Sequence, residues 1–595
     1  MRHITTDKGV ENALTYLRRK SILGLDTETT GLDPLDNKIL LLQIGDQGEQ
    51  FVFDIYKLGA EVYPVLDWLV TDDITIVMHN AKFDYSMIKT NFDRTLQKVI
   101  CTMIGEQLLN QGRKQSASFE AVCLKYIGVP LDKTQQSTFI DMKWGQTFTT
   151  RQLQYAADDI KYLIPVYKKI QSLLDSRGMK ELSALEYNTT RVTADMEING
   201  IFLDRKKWLA LKDKAIAGAD TAQAKLDKFF DSYCQKDLFG NLDINYNSPT
   251  QLLPILSDIT KTKLKSTAEP ALKRLNHPVI KVLLEYRGHQ KNITTYGQEF
   301  LNQYVSKIDG RIHSSFKQLG ADSGRYASRE PNMTNIPKAQ EYRAAFIAQD
   351  PEYRIISADF SGQELRLLAH LTQEPKFLYA LQNNMDLHSY SASLIFGIPY
   401  EKFFDENGKG IKEMKDKYRN PAKSLTFGLI YGIGPMKLSL NLGITIKKAR
   451  NLMNTYFSTF PAIKKTLEDL TEDAEKNRYA LSPLDGRRRD LTTFDWDDSR
   501  QVAHAFNITK NLPFQGCGAS TTKLAMCKLK NLIDKEKYDA KIINAIHDEI
   551  LVEVHKDEAE DVAKYVQKAM IEAFNHYAPS VPMEVEPAIG REWIH

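Results

Sequence analysis

Two apolar runs, each ending in an aspartate, constrain this chain more than any other feature. Ile355 and Ile356 lead into Asp359, which opens Asp359-Phe360-Ser361-Gly362-Gln363-Glu364-Leu365-Arg366. Ile542 and Ile543 lead into His547-Asp548-Glu549, and Ile550-Leu551-Val552 follow at once. Strands rich in branched apolar residues belong in a sheet, and an acid at the end of such a strand stands where the buried sheet meets solvent. The second motif reads as a hairpin whose polar tip presents Asp548. Two such acids brought together make a site for paired divalent cations, the arrangement that supports in-line phosphoryl transfer. Any fold for this sequence has to set those two strand ends side by side.

At 595 residues the chain exceeds a single hydrophobic core, so about two to four domains are expected. The apolar share of 42% is ordinary for a globular chain, and no apolar run is long enough to span a bilayer. The opening residues, Met1-Arg2-His3-Ile4-Thr5-Thr6, lack an apolar signal region, so a cytoplasmic location and no membrane partner are expected. Cys101, Cys123, Cys234, Cys517 and Cys527 have no Cys-x-x-Cys spacing, which argues against a structural zinc or a disulfide framework. A net charge of +3 decides little, because binding to phosphates depends on where the cations cluster. Candidate clusters lie at residues 261–265, at residues 412–419 and at Arg487-Arg488-Arg489, although any one charge run serves equally as a solvated face.

The first 175 residues read as α/β, with strand-like runs at 22–25, 39–44, 51–55 and 74–78. Leu153, Ala156, Ile160, Leu163 and Tyr167 recur at helical spacing, which predicts a helix over about 149–174. Ser176-Arg177-Gly178 then marks a domain boundary. A mostly helical stretch follows to about residue 304, including a long helix near 206–233. Ser248 is placed to cap a new helix, with Pro249 in its first turn. From Arg311 onward strands and helices mix, and no internal repeat is present.

A second acidic constellation lies in the first domain. Asp26 and Glu28, in Asp26-Thr27-Glu28-Thr29-Thr30-Gly31, fall two apart on a strand and so share one face. Asp84 follows the strand that ends at Met78, and Asp159 lies four residues after Tyr155 on a helix, so those two share a face as well. Hard carboxylate oxygens suit magnesium or manganese. Singly, each acid is an ordinary surface residue or helix cap. In this order they resemble the tyrosine-containing branch of the DEDD exonuclease superfamily. The resemblance implies an RNase H-like sheet over roughly residues 1–178, a two-metal site held by Asp26, Glu28, Asp84 and Asp159, and a Tyr155 that positions the attacking water. No ligand of that set is missing, so a working 3′–5′ exonuclease is expected.

Between the two later aspartates, Lys423, Phe427 and Tyr431 recur every four residues and form one helical stripe. Pro421 suits a first turn and Asn420 a cap, which would set Arg419 and Lys423 at a helix N-terminus where the dipole favours anions. Taken alone, the segment reads as an amphipathic helix burying its rings. Together with Asp359 and Asp548 it resembles the family A DNA polymerases, as do Met196-Glu197 with Gly200 and Asp204, Tyr286-Arg287 with Lys291, Gly324-Arg325, Pro331-Asn332-Met333-Thr334-Asn335-Ile336-Pro337, Asp386-Leu387-His388, Asn511-Leu512-Pro513-Phe514-Gln515-Gly516 and the Gly590/Trp593 pair. The resemblance covers essentially the whole chain. It implies a multidomain α/β and α+β protein with a right-hand polymerase domain at 179–595: thumb about 205–310, palm about 311–365 and 497–595, fingers about 366–496.

Carried over by this resemblance, Asp359, Asp548 and a backbone carbonyl near Phe360 hold two metals, Mg²⁺ or Mn²⁺, with Glu549 as a nearby acid. Arg419, Lys423 and His388 become triphosphate contacts, with Phe427 and Tyr431 beside the incoming nucleotide, and Glu364 becomes the gate that crowds a ribose 2′-hydroxyl. Arg325, Asn332, Asn335, Asn511, Gln515 and His547 fall where primer, template or nascent pair is contacted. The implied partners are primer–template DNA and dNTPs, with processivity or replisome factors as further candidates and a monomer as the working state. Gly362, Asn420 and Asn507 depart from the bacterial pattern, and no 5′-nuclease segment precedes the exonuclease, which points to a phage-type replicative or repair enzyme. Phe427, where some relatives carry tyrosine, predicts poor use of dideoxynucleotides. The alternative is an exonuclease whose C-terminal region only binds nucleic acid, and the presence of Asp359, Asp548 and Lys423 argues against it.

Overall fold

The computed structural model describes residues 1–71, 74–140 and 142–594, and the chain groups into two compact units. The first takes in residues 1–200, 314–334 and 352–589, and the second 201–313, 335–351 and 590–595. The architecture is mixed α/β and α+β, as expected.

The N-terminal part of the first unit is built on a six-stranded sheet. Its strands are β1 (Arg2–Ile4), β2 (Ile22–Thr29), β3 (Ile39–Gly45), β4 (Gln50–Asp54), β5 (Thr75–Met78) and β6 (Lys98–Cys101), in the order β1-β4-β3-β2-β5-β6. β2 pairs antiparallel with β3 and parallel with β5, so the sheet is mixed. β3 and β4 are buried along their whole length, and for that reason they read as continuous apolar runs. One face packs Leu42, Ile44, Phe51 and Phe53 into a core with Leu23 and Leu25. The other packs Leu41 and Val52 against Leu153, Tyr155 and Ala156.

Helix α1 (Ala81–Phe92) follows β5, starting from Asn80 in the left-handed conformation at φ 58°. The single helix expected over 149–174 is two, α2 (Thr150–Lys161) and α3 (Leu163–Ser176), broken at Tyr162. Pro165 is the cause: it has no N–H for the Lys161 carbonyl, and its ring would crowd that carbonyl in a continuous helix. Thr149 and Gln152 close α2 with a reciprocal capping box. After Gly178, helix α4 (Lys180–Asn199) runs through the unit with twelve buried positions.

In the later part of the first unit, β7 (Tyr353–Asp359) lies in a four-stranded sheet beside a hairpin of β10 (Ala540–Ile546) and β11 (Glu549–His555). A short separate ribbon pairs β8 (Tyr479–Leu481) with β9 (Arg488–Asp490). The helices that matter for the site are α5 (Gln363–Thr372), α6 (Leu387–Phe396), α7 (Asn420–Ile430) and the long α8 (Ser499–Glu536). Asn420 is not a cap. A π-turn over Lys415–Arg419 precedes it, with the Asn420 N–H bonded to the Lys415 carbonyl. The wider turn accommodates Pro421, whose ring would clash inside a regular α-helix. The helical N-terminus therefore falls at Lys412, and Arg419 has no exposed helix-end amides behind it.

The second unit is helical. Helices Arg205–Phe230 and Pro278–Thr295 share a core of Ala222, Leu226, Phe230, Leu252, Leu256 and Leu283. Ser248 caps helix Pro249–Ile259, accepting from the Gln251 N–H, as its sequence signature implies. The stretch expected as thumb falls in this unit.

Candidate active sites

Four acids from the first half of the chain line one cavity of about 380 Å³, together with Tyr155. Asp26 and Glu28 lie across the ladder from Gln43 and Leu41, on the face that meets α2. Asp159 reaches them from α2, so that Asp26, Glu28 and Asp159 each bring a ligand oxygen within 4.8 Å of the others. Asp84, in the first turn of α1, lies outside that trio and accepts a hydrogen bond of 2.7 Å from the Thr27 hydroxyl. Burial pushes the carboxyls of Asp26, Glu28, Asp84 and Asp159 up, and mutual repulsion adds to it. Clustered buried carboxylates of this kind fit divalent cations with oxygen preference. His79 lines the same cavity, and burial lowers it to about 4, so it is neutral near pH 7.

Lys133 also enters this cavity, and sequence reasoning missed it. Its Nζ lies 2.8 Å from Asp159 Oδ1 and 3.2 Å from the Tyr155 hydroxyl. A lone lysine in a polar loop carries no periodic signal that would have marked it. Tyr155 is raised by burial and by the acids around it, so the phenol keeps its proton.

The second constellation forms at strand ends. Asp359 terminates β7 directly opposite Glu549 on β11, and His547-Asp548 is the two-residue turn that joins β10 to β11. His547 adopts φ 57°, which lets the hairpin close in two residues. Asp359, Asp548 and Glu549 therefore converge at one end of three adjacent strands. Ser357 donates to Glu549 at 2.7 Å, and the glutamate is buried. Burial raises Asp548, and the charges of Arg325 and His547 partly offset it.

Glu364, in the first turn of α5, accepts from both Arg325 and the Tyr431 hydroxyl. Gln515 on α8 also hydrogen-bonds Tyr431, so five of the expected contact residues, counting Asp548, meet in one place. Gly432 at φ 70° makes this approach possible, since a Cβ there would run into Asn507 of α8. Along the stripe, the Phe427 ring lies 6.1 Å from Tyr431 and 5.9 Å from His388. Burial lowers His388 to about 4, so any contact it makes at neutral pH is by a hydrogen bond rather than by charge.

Arg419 is paired bidentately with Asp386 at 2.8 Å through both Nε and Nη2. Burial would raise Asp386, but the bonds from Arg419 and Ser389 bring it down to about 2. Asn511 donates to the Asn507 carbonyl at 2.6 Å, and its own buried Oδ1 has no partner among the described residues. Asn332 accepts from Thr334 at 3.0 Å, and Asn335 belongs to the second unit. The Arg487-Arg488-Arg489 run is divided by burial, with Arg488 and Arg489 half-exposed. Arg487 is fully buried against Glu186, Arg488 covers Tyr479, and Arg489 pairs with Asp322 at 2.7 Å.

Comparison with known proteins adds to this geometry. Residues 219–595 match the family model of DNA polymerase family A, and residues 1–175 match that of a 3′–5′ exonuclease. A relative from Aquifex aeolicus, DNA polymerase I, is 30% identical over 99% of this chain and 99% of its own length. DNA polymerase I of Borreliella burgdorferi is 28% identical over 100% of this chain, which spans 64% of that relative. Among solved structures, the polymerase domain of Pol1 from M. smegmatis, in complex with DNA primer–template and dNTP, superposes with a TM-score of 0.84 at 25% identity, covering 99% of both chains.

Proposed function

Since the chain belongs to DNA polymerase family A and its N-terminal part to a 3′–5′ exonuclease family, we propose that it extends a primer on a DNA template at the Asp359–Asp548 site and trims 3′ ends at the Asp26–Glu28–Asp84–Asp159 site. The observation that carries this reading is the presence of two separate, complete carboxylate sets, one at strand ends and one shared between a strand face and two helices.

In synthesis the primer 3′-oxygen attacks the α-phosphorus of a dNTP, the bond to pyrophosphate breaks, and the hydroxyl proton leaves. In excision a water oxygen attacks the terminal phosphodiester, the bond to the 3′-oxygen breaks, and that oxygen takes up a proton. Mg²⁺ or Mn²⁺, two ions at each site, would activate the attacking oxygen and balance charge on the leaving one when bound. The chain's own residues orient the reactants. Asp359 and Asp548 stand on rigid strand ends, Glu364 and Tyr431 form a wall against the sugar, and Arg419 and Lys423 offer cations to the triphosphate. Arg325, bonded to Glu364, and Gln515, bonded to Tyr431, are placed to contact the nascent pair.

The test is extension and shortening of a labelled primer–template with magnesium, with and without dNTPs. Asp548→Ala should lose extension and keep shortening, and the Asp26→Ala/Glu28→Ala pair should do the reverse. If either variant lost both activities, the assignment of two independent sites would be wrong.

A further inference from the structure

Lys133 is the only lysine or arginine among the described residues that line the N-terminal cavity. It sits between helix Phe119–Ile127 and the short turn Gln136–Thr138, on a segment tightened by the Asp132 carboxylate, which accepts from the Thr134 N–H at 2.9 Å. Its ammonium touches both functional groups that α2 delivers, Asp159 Oδ1 at 2.8 Å and the Tyr155 hydroxyl at 3.2 Å. It also stands 5.1 Å over the Tyr155 ring and 5.8 Å from the Phe119 ring.

An ammonium donates and never accepts, whereas a phenol does both. The bond from Lys133 therefore occupies the acceptor side of the Tyr155 oxygen, and the phenolic proton has to point elsewhere. The partners left in that direction are the Asp159 carboxylate, four residues along the same helix, or a water in the cavity. Without Lys133 the acceptor side of that oxygen is left open, and only the bond to Asp159 still sets the direction of the hydroxyl. A directional hydroxyl is what a water-orienting tyrosine needs, since misplacement of a reacting atom by a fraction of its size is costly.

We propose that Lys133 is a positioning residue of the excision site, which fixes Tyr155 as a hydrogen-bond donor of set direction. This rests on reading residues 1–175 as an excising domain. It places no demand on the synthesis site.

The test uses the full chain with Lys133→Met, which keeps the stem and removes the ammonium, Lys133→Arg, Tyr155→Phe, and the Lys133→Met/Tyr155→Phe pair. Single-turnover shortening of a single-stranded 3′ end should slow about 10- to 100-fold in Lys133→Met, with little change in the DNA concentration needed for half-maximal rate. Lys133→Arg should recover part of the loss. In the Tyr155→Phe background the same lysine change should cost less than about threefold, because residues that act through one another are not additive. Mn²⁺ titration in an Asp359→Asn/Asp548→Asn background should show binding at the N-terminal site that is unweakened by Lys133→Met. A Lys133→Met chain that excises at the wild-type rate overturns the inference alone, as does a full loss on top of Tyr155→Phe, or a collapse of Mn²⁺ binding. A wild-type chain that does not shorten DNA overturns the excision reading and this inference with it.

Discussion

Replacing Glu186 by glutamine removes one charge from a site that has no access to water. Glu186 on α4 is fully buried and accepts two bonds of 2.8 Å from Lys523 Nζ on α8, one of 2.9 Å from Arg487 and one of 2.6 Å from Gln318. Asp485 lies 3.4 Å from Arg487, so two acids balance two cations. Glu186→Gln leaves one cation in excess, and breaking a buried pair costs about 3–5 kcal/mol. Lys523 limits its own share of that cost. Burial holds it down to about 8 from 10.5 even with Glu186 present, so in the variant it sheds its proton rather than remain unpaired. For a lysine that titrates at about 8, giving up the proton at pH 7 costs roughly 1.4 kcal/mol, and the weakened bonds to Arg487 and Gln318 make up the rest of that range.

Between the folded and unfolded lysine pKa values the folded state binds fewer protons, so stability rises with pH through that window. The wild-type lysine is itself mostly neutral at pH 9.5, and the gap between variant and wild type should therefore narrow there. Hydrogen exchange reads the effect locally, without requiring the whole chain to unfold in one step. Amides of α4 and α8 around positions 186 and 523 should lose roughly two to three and a half decades of protection at pH 7. The Glu186→Gln/Lys523→Met pair restores charge balance and should recover more than half of the loss. Protection within threefold of wild type in the single variant would refute the view of this network as a buried, charge-balanced joint.

Three further outcomes are expected. Phe427→Tyr should raise incorporation of dideoxynucleotides at least about tenfold relative to natural substrates, measured by competitive termination; unchanged termination would show that this ring does not face the sugar. Glu364→Ala, which removes the acceptor shared by Arg325 and Tyr431, should reduce discrimination against ribonucleotides about 10- to 100-fold in single-turnover incorporation. The Asp386–Arg419 pair gives an acid signature. Asp386 is depressed to about 2, so its contribution is complete above the ordinary carboxylate range near 4 and is lost as pH falls toward 2. The stability difference between wild type and Asp386→Asn, followed by urea unfolding, should shrink over that interval and vanish below it.

Much of this protein was legible in its sequence because the relevant signals are short-range. Two-residue alternation put Asp26 and Glu28 on one face, four-residue spacing put Tyr155 with Asp159, and apolar runs marked the strands that carry Asp359 and Asp548. Ser248 and Pro249 announced a helix start, which α-helical end groups enforce locally. Pro165 acts just as locally, but the apolar periodicity across it led to one expected helix where the structure has two. At Pro421 the same residue type has the opposite effect, because a π-turn lets the helix run through.

Other features depend on which distant segments the fold brings together, and no local pattern encodes them. Glu186 meets Lys523 from 337 residues away, and that contact takes Arg487 out of an apparent basic run and into a buried ion network. Lys133 meets Tyr155, which lies 22 residues further along the chain. The sequence alone determined the chemistry available, namely which acids, cations and aromatic rings lie on which faces of which elements. Tertiary structure decided which of them are desolvated together. Desolvation is what makes a carboxylate trio demand cations, and a lysine brought beside it is what gives a tyrosine hydroxyl its direction.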